Sequence, residues 1–295
     1  MMLACAICIA AELPDIRARR ADLTTPPMTE GAPAPGRRVR QVTAGYEGKA
    51  VYHALYLPRD WKPGRRYPVL VEYAGNGGYR NRFGDISTGR GEGSNLGYGS
   101  SGGKGFIWVS MPFVNSRTWE NQTTWWGDVD ATVDYAKRTV REVIERWGGD
   151  RSAVILTGFS RGAIACNYIG LHDDEIAAIW LAFIPYSHYD GVRAWRYPGS
   201  DRTSALTRLR RLNGRASFII HEESVEETRA YVESTGVRAP FTFLTLPYRN
   251  HNDGWVLRSI PERQVLRKWL KRVLRTRRKT DFSISANRTS ISRAL

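Results

Sequence analysis

One stretch constrains the fold more than any other: AVILTGFSRGAIACNYIG, from Ala153 to Gly170. A run of four apolar residues leads into a turn with glycine on either side of a serine. Apolar side chains then recur at helical spacing through Ile169. The pattern reads as buried strand, sharp turn and helix. A strand apolar on both faces needs cover on both, which a parallel sheet between two helical layers provides. In the turn Gly158-Phe159-Ser160-Arg161-Gly162, the serine takes an unfavourable backbone conformation. The chain two residues to either side runs so close to its neighbours that a Cβ has no room. The same turn lifts the Ser160 hydroxyl clear of the sheet and aims a helix N-terminus at it, favouring developing negative charge. Ser160 is the candidate nucleophile.

The remaining sequence repeats the alternation of strand and helix. Val39 to Ala44 and Ala50 to Leu57 flank a hairpin turn at Gly45–Gly48, and Tyr67 to Tyr73 (YPVLVEY) is a buried strand ending at AGNGG. Phe106 to Met111, Ser152 to Leu156, Ala177 to Ile184, Ala216 to Ile220 and Phe241 to Leu246 are further strands. Thr124 to Trp147 is an amphipathic helix stopped by Gly148-Gly149. Ser224 with Glu227 spells a capping box, and Pro261 opens a closing helix. The glycine-rich segment Arg80 to Lys104 has no periodicity, as in long loops that carry function. The elements make an α/β fold: a mostly parallel sheet, helices on both faces, and an antiparallel pair leading in. Ligands of such sheets bind beyond the carboxyl ends of the strands.

A serine needs a base, and five histidines are available. His53 and His172 read as structural, whereas His188 and His221 each follow a strand. His251, in FLTLPYRNHNDGW, follows the last strand, so serine comes first and histidine last, as the hydrolase order requires. An acid between them should hold the imidazole and stabilise its charged form. HEESVEE offers Glu222 and Glu223, and Glu223 is preferred because it falls in the turn; Asp190, in PYSHYDG, is the rival. Oxyanion donors would be the amide of Arg161, just after the serine, and that of Asn76, in the loop after YPVLVEY.

Composition sets the outer limits. Apolar residues make up 42% of the 295, with ten tryptophans, ample for one large core. The net charge is +15, but +9 of it falls between Pro261 and Leu295, without a nucleic-acid recognition motif, so no specific nucleic-acid function is expected. No apolar run is long enough for a transmembrane helix. Cys5 and Cys8 lie at the N-terminus and Cys166 follows the serine motif, which makes no disulfide framework. Residues 1–37 read as a signal-like segment and linker, 38–275 as the domain and 276–295 as a basic, disordered tail. The signal-like start points to secretion or the periplasm; without it the chain would be cytoplasmic.

The segments ALYLPRDWKPGRRYPVLVEYAGNGG, GFSRGA and LPYRNHND resemble the α/β-hydrolase superfamily, and within it feruloyl and acetylxylan esterases and polyhydroxybutyrate depolymerase-like proteins. The resemblance covers Val39 to Leu274, with the serine motif its one specific element. It implies a sheet of about eight strands, a triad of Ser160, His251 and an acid, and hydrolysis of a small-molecule or polysaccharide-linked carboxylic ester without cofactor or metal. Ala74-Gly75 stands where many relatives have His-Gly, and the glutamate turn is shorter than theirs. No long insertion follows Ile184, so no large lid is expected. Two other readings share the fold: a prolyl-oligopeptidase-type peptidase, and a non-catalytic binding protein that has lost its acid.

Overall fold

The run YPVLVEY shows how the core is built. Val69 and Val71 enter one apolar cluster and Leu70 the other, so alternate side chains of one strand supply both faces of the sheet. The neighbouring strand behaves alike, with Val154 and Leu156 on the first side and Ile155 on the second. In the computed structural model, which describes residues 12–291 with side chains placed as far as residue 276, this pattern organises the whole chain. The strands are β1 (Met28–Thr29), β2 (Arg38–Gln41), β3 (His53–Tyr56), β4 (Tyr67–Tyr73), β5 (Tyr79–Arg80), β6 (Ile86–Ser87), β7 (Ile107–Met111), β8 (Phe113–Asn115), β9 (Glu120–Gln122), β10 (Gly149–Phe159), β11 (Ala182–Tyr186), β12 (Ala216–Glu222) and β13 (Phe241–Leu246). The helices are α1 (Leu96–Ser101), α2 (Val129–Trp147), α3 (Arg161–Tyr168), α4 (Asp174–Ala177), α5 (Arg202–Arg210), α6 (Glu226–Ser234) and α7 (Pro261–Ile291).

Nine strands form the main sheet in the order β1-β2-β3-β7-β4-β10-β11-β12-β13, one more than expected. From β7 to β13 all neighbours are parallel, and β3 is antiparallel to both β2 and β7. On one face lie α2, whose Val133, Ala136, Val140 and Val143 are buried, and α3, α5 and α6. On the other lie α1 and the Leu266–Trp269–Leu270 stripe of α7. Cys166 is buried among the first group. Among the described residues no helix is long and apolar enough to cross a membrane.

Several expectations need correction. Residues 12–37 are no free linker: Ile16 is buried, its amide donates to Asn250 Oδ1, Asp22 pairs with Arg263, and β1 extends the sheet. The apolar start, residues 1–11, lies outside the described residues. The helix α7 continues to Ile291, through most of the stretch expected as a tail. The capping box does not form, since α6 begins two residues after Ser224, behind Val225, with no side-chain cap. The segment 187–201 after β11 contains no helix, and α5 follows it, unanticipated, behind an Asp201 cap.

Candidate active site

The serine turn is held open by the absence of two side chains. A Cβ on Gly162 would lie 1.9 Å from the Tyr73 carbonyl oxygen, and one on Gly158 2.1 Å from the Gly162 carbonyl oxygen. With both glycines in place, β10 passes into α3 through Ser160 at φ 54°, ψ −114°, a conformation costly for any residue with a side chain. The Ser160 amide donates to the Tyr186 carbonyl at 2.9 Å, fixing the turn to the end of β11.

From there a chain of hydrogen bonds runs across the carboxyl ends of the strands. Ser160 Oγ lies 3.0 Å from His251 Nε2, and His251 Nδ1 lies 2.6 Å from Glu222 Oε1. Nδ1 facing a carboxylate carries the proton, which leaves Nε2 to accept from the serine. Burial of Glu222 alone would raise its pKa, but the hydrogen bond and charge of His251 outweigh it and hold the carboxyl below its ordinary value. Glu222 is therefore ionised wherever His251 needs a counter-charge.

Glu223, the residue favoured from the sequence, does not make this contact. Strand β12 runs two residues past Ile220, pairing Glu222 with Leu246 of β13. Glu222 is thereby the last strand residue, while Glu223 sits at φ 62°, exposed, its amide on the Leu246 carbonyl. Asp190 is buried against Arg208, with Nε to Oδ2 at 2.8 Å and Nη2 to Oδ1 at 3.1 Å. His53 is also buried, 3.0 Å from the Tyr135 hydroxyl.

Of the two oxyanion candidates, Arg161 is the first residue of α3, so its amide precedes the intrahelical ladder. Its side chain does a separate job: the buried guanidinium donates to the carbonyls of Trp125, Gly75 and Gly89, tying the loop after β4 to the start of α3. Asn76 Oδ1 accepts from the Trp125 amide at 2.7 Å, so both side chains clamp one tryptophan at φ 48°.

Sequence reasoning missed two contributors, and a third, His188, reads there only as a histidine following a strand. Asp85, buried in the glycine-rich loop, accepts from the His251 amide at 3.0 Å and from Asn250 Nδ2, Asn252 Nδ2 and Asn81 Nδ2. Nothing in an aperiodic segment marks such a residue. Ser187, just past β11, lies within 2.9 Å of both Glu222 Oε1 and His251 Nδ1. His188 packs its ring 5.4 Å from that of His251, and burial, then the neighbouring His251, pushes its pKa down to about 4, keeping it neutral.

Around the imidazole the rings are only partly covered. Tyr79 lies 4.7 Å from His251; beyond His188 the contacts continue to Trp195 at 5.6 Å, from there to Trp125 at 5.4 Å, and on to Tyr197 at 5.3 Å. A cavity of about 240 Å³ bordered by Gly75, Ser87, Phe159 and Asn252 adjoins the serine turn. A wider depression of about 570 Å³ lies among Trp180, Arg211 and Arg215, is lined by none of these groups, and takes no part in the site.

The architecture is the α/β-hydrolase fold. Solved structures share it: a thermostable esterase (TM-score 0.51, 14% identity, 80% of this chain and 62% of that one), and the feruloyl esterase module from Clostridium thermocellum complexed with sinapinate (0.51, 14%, 84% and 93%). A protein from Bacteroides ovatus described as a putative dipeptidyl aminopeptidase IV aligns at TM-score 0.56 and 13% identity, over 80% of this chain and 35% of its own. The chain thus spans less than two thirds of the thermostable esterase and about a third of the aminopeptidase. No family model matches the sequence, and no curated protein matches it.

Proposed function

We propose that this chain is a serine hydrolase that cleaves carboxylic esters. The observation that carries the reading is the relay from Ser160 through His251 to Glu222, with contacts of 3.0 and 2.6 Å. His251 Nε2 takes the hydroxyl proton as Ser160 Oγ attacks the ester carbonyl, and Glu222 stabilises the imidazolium. The oxyanion is held by the amides of Arg161 and Asn76, at the N-terminus of α3. The imidazolium returns its proton to the departing alcohol. Water, activated by the same imidazole, then cleaves the acyl-enzyme and frees Ser160. The half-exposed rings from Tyr79 to Tyr197 support an ester carrying a flat group, a phenolic ring or a sugar.

The non-catalytic alternative rests on a missing acid, and the 2.6 Å contact of Glu222 with His251 speaks against it. A peptidase retains one point in its favour, the alignment with the dipeptidyl aminopeptidase, which speaks to fold alone. Two substrate panels decide: p-nitrophenyl acetate and butyrate against aminoacyl p-nitroanilides, with Ser160 covalently labelled by a fluorophosphonate. Ester turnover and labelling are expected for the wild type, with kcat lower by about 10⁴-fold or more in a folded Ser160→Ala variant. Undiminished ester hydrolysis by that variant would refute the assignment, and turnover of the anilides alone would move it to the peptidases.

A further inference from the structure

We infer that Ser187 is a positioning residue for the His251–Glu222 pair, a fourth member of the relay. This deepens the hydrolase reading and rests on it. Three observations meet at this residue. Its backbone has φ 85°, where glycine is free of strain and a side chain is not. The residue is fully buried, so solvation of the hydroxyl gives no reason to keep a serine there. Its Oγ donates to Glu222 Oε1 at 2.9 Å and lies 2.9 Å from His251 Nδ1, closing a triangle over the Nδ1–Oε1 contact. A chain that tolerates strain where glycine would remove it is retaining a function of the side chain, and the polar groups this side chain meets are those two.

The chemistry of the triangle assigns the role. Glu222 Oε2 has no hydrogen-bond partner among the described residues, and His221 Nδ1 is 3.7 Å away. Oε1 therefore carries the whole of the carboxylate's bonding, with two donors: His251 Nδ1–H and the Ser187 hydroxyl. The second donor stops the carboxylate from rotating off the imidazole and disperses part of its charge. Without it, Glu222 faces His251 as a more basic group. The carboxylate then holds its proton to higher pH, and once protonated it no longer supports the base.

The experiment follows the rate of Ser160 labelling by a fluorophosphonate against pH, in the full-length wild type, Ser187→Ala and Ser187→Gly. This readout needs no natural substrate. Ser187→Gly relieves the strained φ and should fold with a Tm at or above that of the wild type, so it separates the hydroxyl from the backbone. The acid limb of its labelling profile should move up by about half a pH unit, and the plateau rate should fall about tenfold. The downfield proton resonance of His251 Nδ1–H should also shift, independently of reactivity. An acid limb that stays in place in Ser187→Gly overturns the inference whatever the plateau does, as does a defect in Ser187→Ala that glycine fully restores. Ser160→Ala is run alongside. Labelling that survives there, or is absent from the wild type, defeats the hydrolase reading itself, a result distinct from any shift at Ser187.

Discussion

Of the two glutamates after Ile220, only one has its carboxylate on His251. The first ends β12 with its Oε1 on the imidazole; the second has left the strand at φ 62° and faces solvent. Glu222→Gln keeps the shape but weakens the hold on the Nδ1–H tautomer, and kcat toward p-nitrophenyl acetate should fall by about 10³ to 10⁴. Glu223→Gln should leave kcat within about threefold, the ordinary outcome for an exposed side chain. Glu223→Gly, which frees the backbone at a positive φ, should raise stability by about 1 kcal/mol in denaturant titration. If Glu223→Gln were the damaging change, the relay through Glu222 would be wrong. The sequence alone made Ser160 and His251 legible because the glycine pattern and the chain order are tied to geometry. It placed the carboxylate facing His251 one residue too late because the strand's end was set where its apolar run stops, at Ile220. The length of β13 held the missing signal: its six residues pair with Ser217 through Glu222.

Five adjacent strands, β4, β10, β11, β12 and β13, carry the candidate site at or just beyond their carboxyl ends: Glu222 ends β12, Ser160 and Ser187 directly follow β10 and β11, and Asn76 and His251 lie in the loops after β4 and β13. Parallel neighbours bring their carboxyl ends to one edge, which is how residues far apart in the chain come within hydrogen-bond distance of one another. That convergence was legible, since alternating strands and helices allow little else. The loops were not. Asp85 lies in a segment without periodicity, yet its carboxylate accepts from three asparagine side chains and from the His251 amide. Every partner is a donor, so Asp85→Asn turns an amide NH₂ toward groups that can only donate. The variant should lose about 2–3 kcal/mol of stability, the cost of leaving such donors unmet. Its kcat should fall at least tenfold with KM little changed, because what loosens is the loop carrying the base. Thermal melts and steady-state kinetics on one preparation check both, and a stable variant with full kcat would show that the loop holds itself.

Across the whole molecule, the site is joined to the core by a buried polar network that no pattern of apolar residues announces. Glu72, in the middle of the sheet, accepts from the Leu96 and Gly97 amides at the start of α1 and from Trp108 Nε1. Asp253, two residues after His251, holds Asn95 just ahead of the same helix, and Arg38 lies over the Trp108 ring. Burial and the nearby charge of Asp253 push Glu72 up to about 7, against the pull of the Gly97 and Leu96 amides and Arg38. Burial likewise raises Asp253 to about 6. A carboxyl whose folded pKa lies above its unfolded one binds protons more tightly when folded, so its stabilisation is complete below about pH 4.5 and is lost as pH rises through 7. His53 and His188, lowered to about 3 and about 4 by burial, oppose this below pH 6.5, where the unfolded chain takes up their protons. The net pH profile of the wild type therefore mixes both signs, and the informative quantity is a difference. Glu72→Gln cannot ionise, so its Tm relative to the wild type should climb steadily between pH 5 and 8. Each tenfold difference in proton affinity between the folded and unfolded chain is worth about 1.4 kcal/mol. The sign of the slope, set by burial and the neighbouring Asp253, is what the melts read. Melts of the two proteins at matched pH decide it. A difference that is flat, or that falls with pH, would mean the three N–H donors keep Glu72 ionised in the folded chain.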